Sequence, residues 1–256
     1  MPEPPFADRR PSPNVRTTIV RYALYFSPSA TDPLTTAAAA WLGRDAFTGA
    51  TYPLPAVEGI APDILHALTA DPRRYGFHAT LKAPFALAEG RTEAELVEAF
   101  EAFCGNRPAF EIPRVIIGQI GRFFALVPDE VYAPLQDFAS HVVEAFEPFR
   151  APLSEADMAR RKPETLTVSE RAHLQRFGYP YVNDDFRFHM TLTGQVEPAL
   201  APAMRAELDR RFADFAGAPL AIDGLALFVE PARGEPFHVH RRLALAASPN
   251  TRKTTP

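Results

Sequence analysis

Two short segments of this chain carry the residue types of acid–base chemistry at matched spacing. They read Gly76-Phe77-His78-Ala79-Thr80-Leu81-Lys82 and Arg187-Phe188-His189-Met190-Thr191-Leu192-Thr193. Each offers an imidazole and, two residues on, a hydroxyl; the two histidines stand 111 residues apart in the chain. Imidazole changes charge near neutrality, so a pair can take up a proton at one point and release one at another. Hydroxyls and cations suit the non-bridging oxygens of a phosphate. A lone histidine on a half-buried strand is ordinarily a hydrogen-bonded structural group. The repetition of the whole pattern is what points to chemistry.

Side chains alternate across a strand. Phe77, Ala79 and Leu81 therefore share one face, and His78, Thr80 and Lys82 the other. In the second segment Phe186, Phe188, Met190 and Leu192 form the apolar face, opposite Arg187, His189, Thr191 and Thr193. Neighbours on one strand face lie roughly 6.5–7 Å apart, so a His and its Thr can both touch one small tetrahedral group. The candidate catalytic pair is His78 and His189. Thr80, Thr191, Lys82 and Arg187 are candidate contacts to a bound phosphate, and Thr193 is read as structural or peripheral.

Other polar groups are less specific. Tyr179 and Tyr181, in GYPYV, offer rings to stack on a base or cap a sugar, and Tyr181 is taken as a substrate contact. Tyr22 and Tyr25 fall on opposite faces of the first strand, so at most one faces a groove. Arg160-Arg161-Lys162 is the densest basic run, either a solvated helix end or an anchor for a second phosphate. His238 and His240 have a spacing seen in metal sites, but Asp223 or Glu230 would have to be recruited through folding, and no metal or other cofactor is expected. No G-x-x-x-x-G-K phosphate loop occurs.

The elements that must position these groups follow from pattern. Thr18–Phe26 reads as a strand. Asp32-Pro33 opens a helix that runs to Trp41-Leu42 and stops at Gly43. A helical piece follows near Ala61–Thr69, and Tyr75–Leu87 is strand-like. Thr92 and Glu95 form a capping-box signature for a helix over 92–104. Phe110–Ile117 and Phe123–Val127 read as a hairpin around Gly118 and Gly121, and Tyr132–Phe146 as a helix. A helical pattern then ends at Gly178, Arg187–Gln195 reads as a strand and Ala203–Phe215 as a helix. Leu220–Glu230 and Phe237–Ala246 read as strands joined by the turn-rich PARGEP. Each half thus has a His-bearing strand, a helix and a two-strand hairpin. The expected architecture is α+β, a duplicated bilobed fold in which two mostly antiparallel sheets line a central groove with helices outside.

The chain has 256 residues, with 27 Lys and Arg against 31 Asp and Glu and a net charge of −4. No global basic field draws it to nucleic acid or anionic membrane. Its 27 prolines against 13 glycines suggest stiff loops around a packed core. The single cysteine, Cys104, allows neither an internal disulfide nor a thiolate metal cage. No apolar run approaches the ~18 residues of a membrane span, and the Pro-rich start has no secretory h-region. The expected organisation is a tail over 1–17, one domain over 18–246 and a second tail over 247–256, in a cytoplasmic protein.

The paired H-x-T segments, each ringed by apolar residues, resemble the 2H phosphoesterase superfamily. The contexts RYALYF, WLGRD, YGFHATLKAPF and FGYPYVNDDFRFHMTLTG look like its branch from bacterial phosphonate-utilisation operons. The resemblance spans about residues 18–246. It implies a bilobed fold with a central groove and metal-independent hydrolysis of phosphodiesters, commonly cyclic ones, with His78 and His189 as acid and base beside Thr80 and Thr191. The expected substrate is a small phosphorylated compound such as a ribose cyclic phosphate, or a cyclic-phosphate nucleotide. No membrane and no stable nucleic-acid partner is expected. RNA ends bearing a 2′,3′-cyclic phosphate, a non-catalytic groove for a phosphorylated metabolite, and a metal hydrolase built on His238 and His240 are the competing readings.

Overall fold

The computed structural model describes residues 19–247. The two predicted tails lie outside these, apart from residue 247. Strand β1 is Arg21–Phe26. Helix α1, Pro33–Leu42, starts where the Asp32 side chain accepts from the Leu34 amide and stops at Gly43, whose φ is 80°. Helix α2 (Pro62–Tyr75) leads into β2 (Ala79–Phe85). Helix α3, Glu93–Gly105, carries the Thr92–Glu95 capping box. Strands β3 (Phe110–Ile112), β4 (Val115–Ile120) and β5 (Phe123–Pro128) follow, then α4 (Ala133–Phe146). Helices α5 (Glu155–Arg160) and α6 (Val168–Phe177) precede β6, which is only Met190–Thr191. Helix α7 (Ala201–Arg211) and strands β7 (Leu220–Ile222), β8 (Gly224–Glu230) and β9 (His238–Ala244) complete the order.

The fold is α+β, with a seven-stranded antiparallel sheet in the order β4-β5-β6-β2-β1-β8-β9 and a small sheet of β3 and β7. The two His-bearing segments meet at the centre, where β2 and β6 pair through Ala79 and Met190 alone. Both halves run strand, helix, short strand, hairpin: β2-α3-β3-β4-β5 and β6-α7-β7-β8-β9. The hairpins are exchanged. The β4–β5 hairpin, which follows the first histidine in sequence, pairs with β6, while β8–β9 pairs with β1, which separates it from β2. The halves are therefore interlocked rather than two lobes that each keep their own sheet. The small sheet joins equivalent strands of the two halves, Phe110 opposite Ile222 and Ile112 opposite Leu220.

One face of the large sheet is covered by helices. Leu24, Phe26, Phe77, Ala79, Met190 and Leu192 are buried there against Trp41, Phe100, Phe146 and Leu208. Trp41 Nε1 donates to the Leu192 carbonyl at 2.8 Å, which ties α1 to the second His segment. The opposite face holds a smaller apolar cluster of Ala23, Tyr25, Ala226, Phe228 and Phe237, beside which a cleft opens.

Candidate active site

His78 and His189 line this one cleft, of about 400 Å³, together with Thr80 and Thr191. Each histidine is the residue immediately before its strand, and each threonine is the second residue of it. The imidazoles are held alike. His78 Nδ1 lies 2.8 Å from the Gly76 carbonyl and His189 Nδ1 lies 2.7 Å from that of Arg187. A carbonyl only accepts, so Nδ1 carries the proton in both rings, and Nε2 is left to meet a ligand. In His78 that Nε2 lies 3.2 Å from Thr80 Oγ1 and, being unprotonated, accepts from it. Gly76 is required here. Its φ is 80°, and a Cβ would come 2.4 Å from that of Ala46.

Both rings are also packed. His78 stacks on Tyr25 with centroids 3.9 Å apart, and His189 packs against Phe123 at 5.6 Å. Burial pushes the His78 pKa down; the Gly76 hydrogen bond partly opposes this, repulsion from His189 adds to it, and the value falls to about 4. Burial lowers His189 too, against its backbone hydrogen bond. Both imidazoles are therefore neutral at pH 7.

The remaining expected contacts are placed elsewhere. Lys82 does not share a face with His78 and Thr80. In the pairing of β1 with β2, Tyr25 is opposite Thr80 but Leu24 is opposite Lys82, so Leu81 is an extra residue, a bulge. The inserted residue turns Lys82 to the helix-covered face, where it is 3% exposed. Its ammonium donates to the Val143 carbonyl at 3.0 Å and to Glu147 at 2.7 Å. Burial lowers its pKa, and Glu147 opposes that. Arg187 is exposed and reaches the site only through its carbonyl. It precedes the two-residue β6, so the alternation of a longer strand does not govern its side chain. Tyr181 is 44% exposed and sets its edge against Tyr179, and it is Tyr179 that lines the cleft. Thr193, read as structural, does line the cleft but is fully buried; its hydroxyl accepts from the Phe124 amide and donates to the Gly194 carbonyl.

The wall also holds Arg21, Tyr75 and Arg161. Arg21 was legible, because it shares strand parity with Tyr25. Tyr75 closes a helix, and nothing in its local sequence distinguishes it. His240 Nε2 pairs with Glu93 at 3.0 Å, and no group of three or more His, Cys, Asp or Glu able to hold a metal occurs among the described residues. Cys104 is buried, which raises its thiol to about 12. No helix among the described residues is long and apolar enough to cross a membrane.

The placement of Lys82 gives a stability prediction. Lys82→Met is expected to cost about 1–3 kcal/mol, because the Val143 carbonyl loses its donor while Glu147 keeps Arg150 at 2.6 Å. Urea unfolding midpoints measure this. A variant as stable as the parent but with a raised KM would return Lys82 to the substrate.

Fold and cleft together define a duplicated α+β protein with two histidines over one site. More particularly, the chain belongs to the family described as protein of unknown function DUF1045, whose profile matches residues 80–238. It is 40% identical over 243 residues to ribose 1,5-bisphosphate phosphokinase PhnN of Janthinobacterium sp. (strain Marseille), covering 91% of this chain and 53% of that protein. The same-named protein of Laribacter hongkongensis (strain HLHK9) is 33% identical over 237 residues, covering 92% and 54%. The chain thus spans about half the length of these curated relatives. Among solved structures it is similar to E. coli LigT in apo form, at 16% identity and a TM-score of 0.43, covering 90% of this chain and 99% of that one. It is also similar to a crystal structure of a phosphoesterase, at 17% identity and 0.40, covering 89% and 99%.

Proposed function

We propose that this chain is a 2H-type phosphodiesterase that opens a small cyclic phosphate by acid–base catalysis between His78 and His189. One observation carries the reading. Both rings give Nδ1–H to the carbonyl two residues upstream, so both turn Nε2 to one ligand beside two hydroxyls, Thr80 passing its hydroxyl from His78 Nε2 to that ligand. Water forms the new bond to phosphorus and passes its proton to one Nε2. The bond from phosphorus to the departing sugar oxygen breaks, and the protonated partner ring gives that oxygen its proton. The two rings exchange protonation states over a turnover and reset through solvent. Thr80 and Thr191 donate to the non-bridging oxygens where charge builds up.

The name of the two longer relatives supports a pentose phosphate as the scaffold, so a ribose cyclic phosphate is the substrate proposed first. This chain has no G-x-x-x-x-G-K run, and the kinase reaction in that name is not proposed for it. The test is a panel of ribose and nucleoside cyclic phosphates, with products resolved by phosphorus NMR, run with and without EDTA. Ring opening that survives chelation is expected. No turnover of any cyclic ester would leave a binding protein, and loss on chelation restored by zinc or manganese would move the chemistry to a metal.

A further inference from the structure

The cleft over the histidines does not end with them. It continues past Tyr75 and Pro84 into a second hollow of about 610 Å³, and Arg21 and Arg161 line both. Arg160 and Arg233 line the second hollow alone. Glu230, with no exposed side-chain surface, is shared between Arg21 at 2.5 Å and Arg74 at 2.9 Å. Asp157 is shared between Arg160 at 2.5 Å and Arg233 at 2.9 Å. Arg161 has no carboxylate partner among the described residues; its guanidinium lies over the Tyr179 ring, 5.1 Å from the centroid. With Asp71, which also lines the cleft, five arginines thus stand against three carboxylates. This local positive excess sits in a protein of net charge −4, at the mouth of the one cleft that holds both histidines.

We infer that this annex is a second anion subsite, with Arg161 as its principal ligand, and that the substrate is a cyclic phosphodiester carrying a separate phosphate monoester. The inference rests on the proposed function for the cyclic end and adds the other end. A guanidinium without a carboxylate partner, its flat face occupied by a tyrosine, presents its N–H edge to a phosphate. A monoester carries up to two charges, which answers an excess concentrated at one place. An RNA strand would instead need cations continuing along its backbone.

The experiment uses ribose 2,3-cyclic phosphate with and without a 5-phosphate, and a dinucleotide ending in a 2′,3′-cyclic phosphate. The parent protein is expected to prefer the 5-phosphorylated sugar by roughly 10²-fold in kcat/KM. Arg161→Gln should cut that preference by about 10- to 100-fold, the scale of a lost hydrogen bond to a charged group. Arg161→Gln/Arg233→Gln should cut it further, Arg161→Lys less, and added salt should weaken it. Equal kcat/KM for the two sugars, or an Arg161→Gln loss equal on both, overturns the subsite. Better turnover of the dinucleotide than of the 5-phosphorylated sugar assigns the arginines to RNA and also overturns it. If neither sugar turns over, the catalytic reading fails by itself, and calorimetry decides the subsite. Binding that is tighter with the 5-phosphate and weakened by Arg161→Gln supports it; equal binding of the two sugars overturns it.

Discussion

His78→Ala and His189→Ala are each expected to lower kcat by at least ~10²-fold on a cyclic phosphate substrate, toward the upper end of what one positioned acid or base contributes. The loss should fall on kcat more than on KM, since the rings move their protons in the transition state while Thr80 and Thr191 still hold the phosphate. The double variant should be little worse than the poorer single, because a base without its acid completes no turnover. His78 is packed between Tyr25 and Thr80, so its truncation opens a hole. His78→Gln keeps much of the volume and serves as the second variant, with circular dichroism as the folding control. Near-normal turnover in any well-folded variant of either histidine sinks the two-histidine mechanism.

What sequence could and could not foresee divides along physical lines. Caps and faces are local and were legible. Asp32 and Gly43 bound α1, Thr92 and Glu95 bound α3, and the apolar parity of Phe77, Ala79, Phe188 and Met190 is the buried parity of the sheet. The matched H-x-T segments come together over one cleft because the duplication sets β2 beside β6. Lys82 went astray because alternation holds only until an extra residue enters the strand. Pro84 was the available warning, since proline in a central strand marks a bulge, and the pairing does shift a second time between Leu24 and Tyr22. Arg187 lies off the cleft for a related reason: its segment is not a strand, so its two-residue offset from His189 carries no facing rule. Tyr181 is a loop aromatic, and loop sequence does not say which of Tyr179 and Tyr181 faces the cleft. The pairing of each hairpin leaves no mark in the hairpin itself, because the strand its edge meets is set by contacts distant in sequence.

The pH dependence of kcat/KM should differ from that of kcat, with a sign fixed by the two depressed histidines. Catalysis needs one proton on the pair, and kcat/KM reports the free protein. His78 is held down to about 4 and His189 below the usual 6.5. The kcat/KM optimum is therefore expected between about pH 4 and 6.5, with a tenfold fall per pH unit on the alkaline side. Above pH 6.5 that slope is nearly complete, so from pH 7 to 9 the fall amounts to about 10²-fold. A bound phosphate brings negative charge to the rings and raises their pKa, so the kcat profile should be shifted upward in pH and protons should be taken up on binding. Stability runs the other way. The histidines are neutral when folded and titrate near 6.5 when unfolded, so their stabilising contribution is present above pH 6.5 and is lost as pH falls toward 4. The acid limb must accordingly be read against circular dichroism at each pH. Steady-state rates over pH 4.5–9 and calorimetry in two buffers of different ionisation enthalpy make the measurement. An alkaline limb of kcat/KM lying above pH 8 would mean that neither imidazole is depressed in the free cleft, and the proton for the leaving oxygen would then have to come from another group.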